Sequence, residues 1–302
     1  MEFARFHSDF TSLGLRCSGW LYLPLQQPPP PVVVMAHGLG ADKNFVLPNY
    51  AERFARDGLA VLLFDYRNFG DSAGEPRRLV HPQRHLEDWA AALAHVRGLE
   101  EVDGSRVGLW GTSFSGGHVI AAAALDGGVA ALSVQVPFVD GLASARVMGL
   151  NYIWRASLFA ARDLVGSFFG LPPFYAPIAA IPPKFAALNK EDAGGYLSLV
   201  PEDSDWENKF PARGLLAAAF YRPLAAARRV NCPALFILAE KDLYVPAAAA
   251  AKAAARLPRA EVVQWPIGHF DVYQGEYFEK AVALQTEFLK RNLRAAPIDS
   301  GA

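Results

Sequence analysis

The sequence predicts an α/β fold, a mostly parallel sheet covered by helices on both faces. Short apolar runs such as Val32-Val33-Val34-Met35-Ala36, Ala60-Val61-Leu62-Leu63-Phe64 and Ala234-Leu235-Phe236-Ile237-Leu238-Ala239 recur along the chain. A strand without polar alternation is one buried on both faces, as in a parallel sheet. Segments with helical spacing separate these runs and are long enough to serve as crossovers between parallel strands. Several runs end in loops rich in Gly, His, Asp or Ser, where an open α/β sheet gathers its reactive side chains.

The elements follow in order. Two strand-like runs, residues 3–6 and 15–23, open the chain, and Gln26-Gln27-Pro28-Pro29-Pro30-Pro31 makes a stiff surface connection. The strand at 32–36 ends in His37-Gly38-Leu39-Gly40, and a helix is expected over residues 48–56. After the strand at 60–64 comes the polar loop Asp65-Tyr66-Arg67-Asn68-Phe69-Gly70-Asp71-Ser72, then a helix over 82–96 carried by Leu86, Trp89, Leu93 and Val96. A strand, a tight turn and a helix over 119–124 follow, then a strand at 130–136. Strand and helix recur near residues 234–239, 247–256, 261–265 and 277–293, and residues 295–302 read as a loose tail.

The rhythm fails between residues 138 and 229, a stretch rich in aromatics and proline with no buried-strand pattern. We read it as a mainly helical insertion over the strand ends. The chain then divides into a core of residues 1–137 and 230–302 and a cap of residues 138–229. Most of the aromatics would form the cap's own core. A few should close the cleft with apolar walls, and Phe138 and Trp154 are the candidates, with His37 joining them from the loop after the first buried strand.

Composition narrows the function. Hydrophobic residues make up 52% of the 302, and 29 Lys and Arg against 30 Asp and Glu leave a net charge of −1. Neither a nucleic-acid surface nor a polybasic membrane patch fits that balance. The two cysteines, Cys17 and Cys232, suit small core residues of a reduced protein. Met1 to Asp9 carries neither a basic nor an apolar leader pattern, and the apolar stretch near 147–175 is interrupted by Arg155, Arg162 and Asp163. The expectation is a cytoplasmic protein acting on a small molecule, with no nucleic-acid partner and no stable membrane insertion; a homodimer is left open. No His, Cys or carboxylate cluster has zinc-ligand spacing, so neither metal nor cofactor is expected.

The chemistry centres on Gly111-Thr112-Ser113-Phe114-Ser115-Gly116-Gly117. A serine flanked at two places by small residues suits a sharp strand–turn–helix that lifts its hydroxyl above the sheet. Ser115 is the competing nucleophile, but Ser113 has the better frame. A serine hydroxyl needs an adjacent base, and that base needs an orienting acid. His269, in Pro266-Ile267-Gly268-His269-Phe270 after the last strand, is the base; Asp242, directly after the 234–239 strand, is the acid. Asp242 could instead be a helix cap, and Glu240 is its local substitute. The order Ser113, Asp242, His269 is the chain order of α/β-hydrolase triads. Backbone N–H groups of Phe114 and Leu39 are the expected oxyanion donors, with Gly38 and Gly40 permitting close approach. His37 is read also as a loop-shaping residue, and His118 as packed or hydrogen-bonded behind the turn. His7, His81, His85 and His95 fit surface or helix positions. Asp65, Arg67, Asp71 and Ser72 are read as a network bracing the loops rather than touching substrate.

Assembled, these residues resemble an α/β-hydrolase over nearly the whole chain. The combination of His37-Gly38-Leu39-Gly40, the Asp65–Ser72 loop, the Ser113 turn and Gly268-His269-Phe270-Asp271-Val272-Tyr273 resembles the group related to acetyl xylan esterases, dienelactone hydrolases, X-Pro dipeptidyl-peptidases and fungal polyketide transferases. The resemblance implies a Ser113–His269–Asp242 triad that hydrolyses or transfers an acyl group. Dienelactone hydrolases use a cysteine where this chain has Ser113, so that chemistry is not carried over. The expected activity is hydrolysis of small to medium apolar or aryl carboxylic esters through an acyl-serine. The alternatives are an acyltransferase or thioesterase acting on a polyketide-type thioester, an amidase or peptidase, and a noncatalytic scaffold.

Overall fold

In a computed structural model, which describes residues 1–25 and 28–294, an eight-stranded sheet forms the centre of the molecule. The start of the polyproline connection, Gln26-Gln27, and the expected tail at 295–302 lie outside the described residues. The chain runs β1 (Phe3–His7), β2 (Phe10–Ser12), β3 (Leu15–Cys17), β4 (Gly19–Pro24), β5 (Pro31–Ala36), α1 (Leu47–Arg56), β6 (Ala60–Phe64), α2 (Pro82–Arg97), β7 (Asp103–Thr112), α3 (Ser113–Asp126) and β8 (Ala131–Gln135). It continues through α4 (Gly141–Met148), α5 (Leu150–Phe168), β9 (Tyr175–Ala176), α6 (Ala193–Leu197), β10 (Phe210–Pro211) and α7 (Arg213–Phe220). It closes with β11 (Ala234–Ala239), α8 (Ala247–Ala254), β12 (Ala260–Trp265) and α9 (Gly275–Arg294).

The sheet order is β1-β4-β6-β5-β7-β8-β11-β12. From β6 to β12 the pairings are parallel, while β1 and β4 add antiparallel strands at one edge. Every residue of β5, β6, β8 and β11 is buried, as their unbroken apolar sequences require. Helices α1 and α9 pack together on one face, and α2 and α3 on the other. The fold is that of an α/β-hydrolase.

Two local expectations are corrected. The run at 15–23 is not one strand: β3 pairs with β2 in a separate hairpin, and β4 enters the main sheet. The backbone between them is claimed from the side. Ser18 N–H donates to Ser72 Oγ at 2.8 Å, and Ser18 C=O accepts from Asp65 N–H at 2.9 Å. The helix after the turn begins at Ser113 rather than near 119, because Thr112 and Ser115 form a reciprocal cap that starts it through the glycines.

Between β8 and β11 lie four α-helices, two short 3-10 turns (Pro223–Ala225 and Ala227–Arg229), a pair of two-residue strands and an isolated bridge, Ala179 with Leu188. Buried Asp163 ties the segment together, accepting from Phe174 N–H at 2.8 Å and Arg213 N–H at 2.9 Å. Phe159 packs its ring against both Phe174 and Phe185.

Candidate active site

The turn from β7 into α3 puts Ser113 at φ 51°, a strained left-handed conformation for a side-chain-bearing residue. A Cβ on Gly111 would sit 2.5 Å from Ser115 C=O, so only glycine allows the chain to fold back so tightly there. Ser115 itself is fully buried. Its hydroxyl accepts from Thr112 N–H at 2.9 Å and lies 2.8 Å from the Ala36 carbonyl, which leaves Ser113 as the hydroxyl facing the cleft.

His269 lies in the loop after β12. Its Nε2 accepts from Ser113 Oγ at 3.0 Å, and its Nδ1–H donates to Asp242 Oδ2 at 2.5 Å. Asp242 follows β11, and its second oxygen accepts from Tyr244 N–H and Val245 N–H, each at 2.8 Å. Those amides fix the carboxylate plane and leave one oxygen free to aim at the imidazole. Asp242 therefore does the local turn work that the alternative reading assigned to it and is at the same time hydrogen-bonded to the histidine. The three groups form one hydrogen-bonded line, the arrangement in which a histidine can take a proton from a serine as it attacks.

The loop after β5 runs beside them. A Cβ on Gly38 would be 3.4 Å from Ser113 Cβ and 3.9 Å from Phe114 N, so the backbone next to Leu39 passes close to the amide that follows Ser113. Phe114 N lies in the first turn of α3, where an amide has no partner within the helix. The loop is held from above: Tyr196 OH donates to Leu39 C=O at 2.9 Å and Trp206 Nε1–H to Gly40 C=O at 2.7 Å. It is held from below by Asp65, which accepts from Lys43 N–H at 2.7 Å, from Lys43 Nζ at 2.8 Å and from Asp71 N–H at 3.1 Å. Arg67 is paired with Asp88 at 2.5 Å. The Asp65–Ser72 segment thus braces the loops, as its sequence suggests.

Above Ser113 opens a cleft enclosing about 920 Å³ of empty space, mouth included, with no charged side chain in its wall besides His269 when protonated. Phe138, Met148, Tyr152, Ile153 and Leu215 supply much of that wall. Phe138 is placed as expected. Trp154 is not: it points outward from α5 with 65% of its surface exposed and does not line the cleft. Successive residues of one helix cannot all face the same way, and Tyr152, Ile153 and Ala156 occupy the inner side. His37 is also absent from the main cleft. It is buried, its Nδ1–H donates to Gly38 C=O at 3.0 Å, and it borders a smaller hollow on the far side of Ser113. Its loop-shaping reading is the one the contacts support. Burial holds its pKa down to about 4, with Asp65 only partly offsetting that.

Sequence reasoning missed Lys43, Tyr196 and Tyr244, none of which belongs to a motif, and it read Trp206 only as one of the cap's aromatics, without its bond to Gly40 C=O. It also left His85 at a helix position; the side chain is buried and bonded to His118 at 3.1 Å. Among the described residues no group of three or more His, Cys, Asp or Glu could hold a metal ion, and no helix is long and apolar enough to cross a membrane.

A family model described as the alpha/beta hydrolase family matches residues 33–281. The chain belongs to that family. Among its relatives, the quorum-quenching protein AidA of Acinetobacter baumannii is 41% identical, over 94% of this chain and 93% of that protein. The polyketide transferase af380 of Aspergillus fumigatus is 26% identical, over 93% of this chain and 95% of its own. The crystal structure of the alpha/beta hydrolase GrgF from Penicillium sp. sh18 superposes with a TM-score of 0.81 at 25% identity, covering 97% of this chain and all of that one.

Proposed function

We propose that this enzyme is a serine carboxylester hydrolase for esters with an apolar or aryl acyl group. The observation that carries the reading is the Ser113–His269–Asp242 hydrogen-bonded line at the floor of an apolar cleft. Ser113 Oγ attacks the ester carbonyl while its proton passes to His269 Nε2. The N–H groups of Leu39 and Phe114 hold the oxygen as it becomes an oxyanion. His269 then gives the proton to the leaving alcohol, and the acyl group remains on Ser113 until water, deprotonated by the same histidine, displaces it. Asp242 keeps the imidazole in the required tautomer and balances its charge. In this reading residues 138–229 are the cap, and the cleft wall that they supply selects apolar acyl chains.

A second reading has its own observation. Ser113, Leu39 and His269 are shared by the main cleft and the smaller hollow bordered by His37, Phe45, Tyr196 and Tyr273. A second compartment on the other side of the nucleophile can hold an acceptor alcohol, amine or thiol in place of water, which is acyl transfer, the class of activity in the name of the polyketide transferase relative.

A p-nitrophenyl ester series from acetate to palmitate, on the wild type and Ser113→Ala, tests the first reading. Turnover by the wild type and its loss in a folded Ser113→Ala variant are expected. Stoichiometric acylation of Ser113 without turnover, relieved by added alcohols, moves the assignment to transfer. Neither acylation nor turnover leaves a scaffold.

A further inference from the structure

The outer face of α5 is unpartnered and apolar. Trp154, Leu158, Ala161, Val165 and Phe168 follow one another at alternating steps of four and three residues, the spacing of a knobs-into-holes seam between two helices. The large ones are strongly exposed: Trp154 by 65%, Leu158 by 51%, Val165 by 58% and Phe168 by 87%. Charge is kept off the seam. The Arg155 guanidinium lies over the Phe185 ring and that of Arg162 over the Phe174 ring, and Asp163 is buried.

We propose that this seam is the dimer interface, occupied by α5 of a second copy of the chain running antiparallel. The sequence of the stripe is complementary to itself about Ala161. With a twofold axis there, Trp154 meets the partner's Phe168, each seven residues from Ala161, and Leu158 and the partner's Val165, three and four residues from it, overlap within one residue's rise, so each side places large apolar side chains opposite one another. Ala161 at the centre is the smallest residue of the five, which lets two helices approach to the ~8–10 Å of a packed pair. Together with Leu150, Leu164, Phe169 and Leu171, which are also exposed, the patch offers apolar surface on the order of 1,000 Å² per copy. That exceeds the few hundred Å² usual on a monomer and matches the ~800 Å² that each partner contributes to a stable interface. A lipid surface is the weaker occupant. Helices that lie on membranes carry basic residues free to reach headgroups, whereas both arginines of α5 are laid over aromatic rings of the cap.

The inner face of the same helix lines the cleft through Tyr152, Ile153 and Ala156. A partner helix on the outer face would hold that wall in place, so each copy stiffens the substrate cavity of the other.

Sedimentation velocity of the full chain at micromolar concentrations tests the proposal. The wild type is expected at twice the 32.8 kDa chain mass. Leu158→Glu/Val165→Glu should weaken association by at least about 100-fold; its far-UV spectrum should not change, because both positions are on the surface of a single copy. Ala161→Cys should form an oxidised cross-linked dimer while Leu150→Cys does not, since only the former lies at the axis; native Cys17 and Cys232 are buried. A monomeric wild type, a dimer indifferent to the double substitution, or cross-linking through position 150 instead of 161 would each overturn the proposal. Flotation of a monomeric wild type with phosphatidylcholine vesicles would assign the face to lipid and overturn it too.

Discussion

His118 Nδ1 lies 2.9 Å from the Tyr221 hydroxyl, a bond that joins α3, the helix that begins at Ser113, to the residue just after α7. On its other side His118 Nε2 meets His85 Nδ1 at 3.1 Å. That gap holds one proton, so the two imidazoles cannot both be charged. Burial lowers the pKa of His118 to about 3, aided by His37; burial and then His118 take His85 well below the usual range. His37 is held to about 4. All three bind a proton more readily in the unfolded chain. Below pH ~6.5 the unfolded state therefore gains protons that the folded state refuses, and stability falls as pH drops toward 4. Each group contributes at most about 1.4 kcal/mol per pH unit, so the three together approach ~4. Urea denaturation between pH 7 and 4.5 should show this loss. His118→Gln should reduce the slope by about one histidine's share, and an unchanged slope would remove His118 from the account.

Asp42 works in the opposite sense. Burial, and then the negative charge of Asp65, raises its pKa from 3.8 to about 6. Here the folded chain holds the proton more tightly, so the favourable contribution is present at low pH and is lost as pH rises through about 6. At pH 7 the ionised, buried carboxylate is a net cost. Asp42→Asn keeps an oxygen for the Asn44 N–H, which donates to Asp42 at 2.8 Å, and removes the charge. It should stabilise the protein by up to about 2–3 kcal/mol at pH 7 and by almost nothing near pH 4. Thermal melts of the two proteins at both pH values would decide it, and a stabilisation equal at both would show that ionisation is not the cause.

Ser115 separates structure from chemistry at the turn. Its hydroxyl caps α3 and reaches the Ala36 carbonyl at the end of β5. Ser115→Ala should cost about 1–2 kcal/mol of stability while a fluorophosphonate still labels Ser113. Loss of labelling in a folded Ser115→Ala protein would reopen the choice of nucleophile.

How far the sequence could be read depended on how local the cause was. β6 and β11 occupy the expected positions because a fully buried strand writes its burial into each of its own residues. Ser113, Asp242 and His269 were legible because each must follow a strand end, and the strands were legible. Trp154 was not, because α5 is apolar on both sides, one for the cleft and one for the exposed seam, and periodicity alone does not say which faces inward. Lys43 looked like a loop charge. Its burial depends on Asp65 and Asp71, far along the chain, at 2.8 and 2.5 Å, and no local pattern records such a pairing.

Asp242→Asn tests the orienting carboxylate with little change of shape. Oδ1 of Asp242 accepts two backbone amides and Oδ2 accepts His269 Nδ1–H. An asparagine satisfies both amides only by keeping its oxygen on them, which turns its NH₂ toward Nδ1. Two donors would then meet, and the imidazole escapes by carrying its proton on Nε2. That nitrogen faces Ser113 Oγ, so the hydroxyl loses its proton acceptor. On the reading of Ser113, His269 and Asp242 as a triad, kcat at pH 7 should fall by roughly 10³–10⁴ with KM little changed. The melting temperature should move by only a few degrees, since the two amide bonds that shape the turn survive. A loss of less than about tenfold in kcat would mean that Asp242 is the cap of its own turn and nothing more, and Glu240 would be the next residue to substitute.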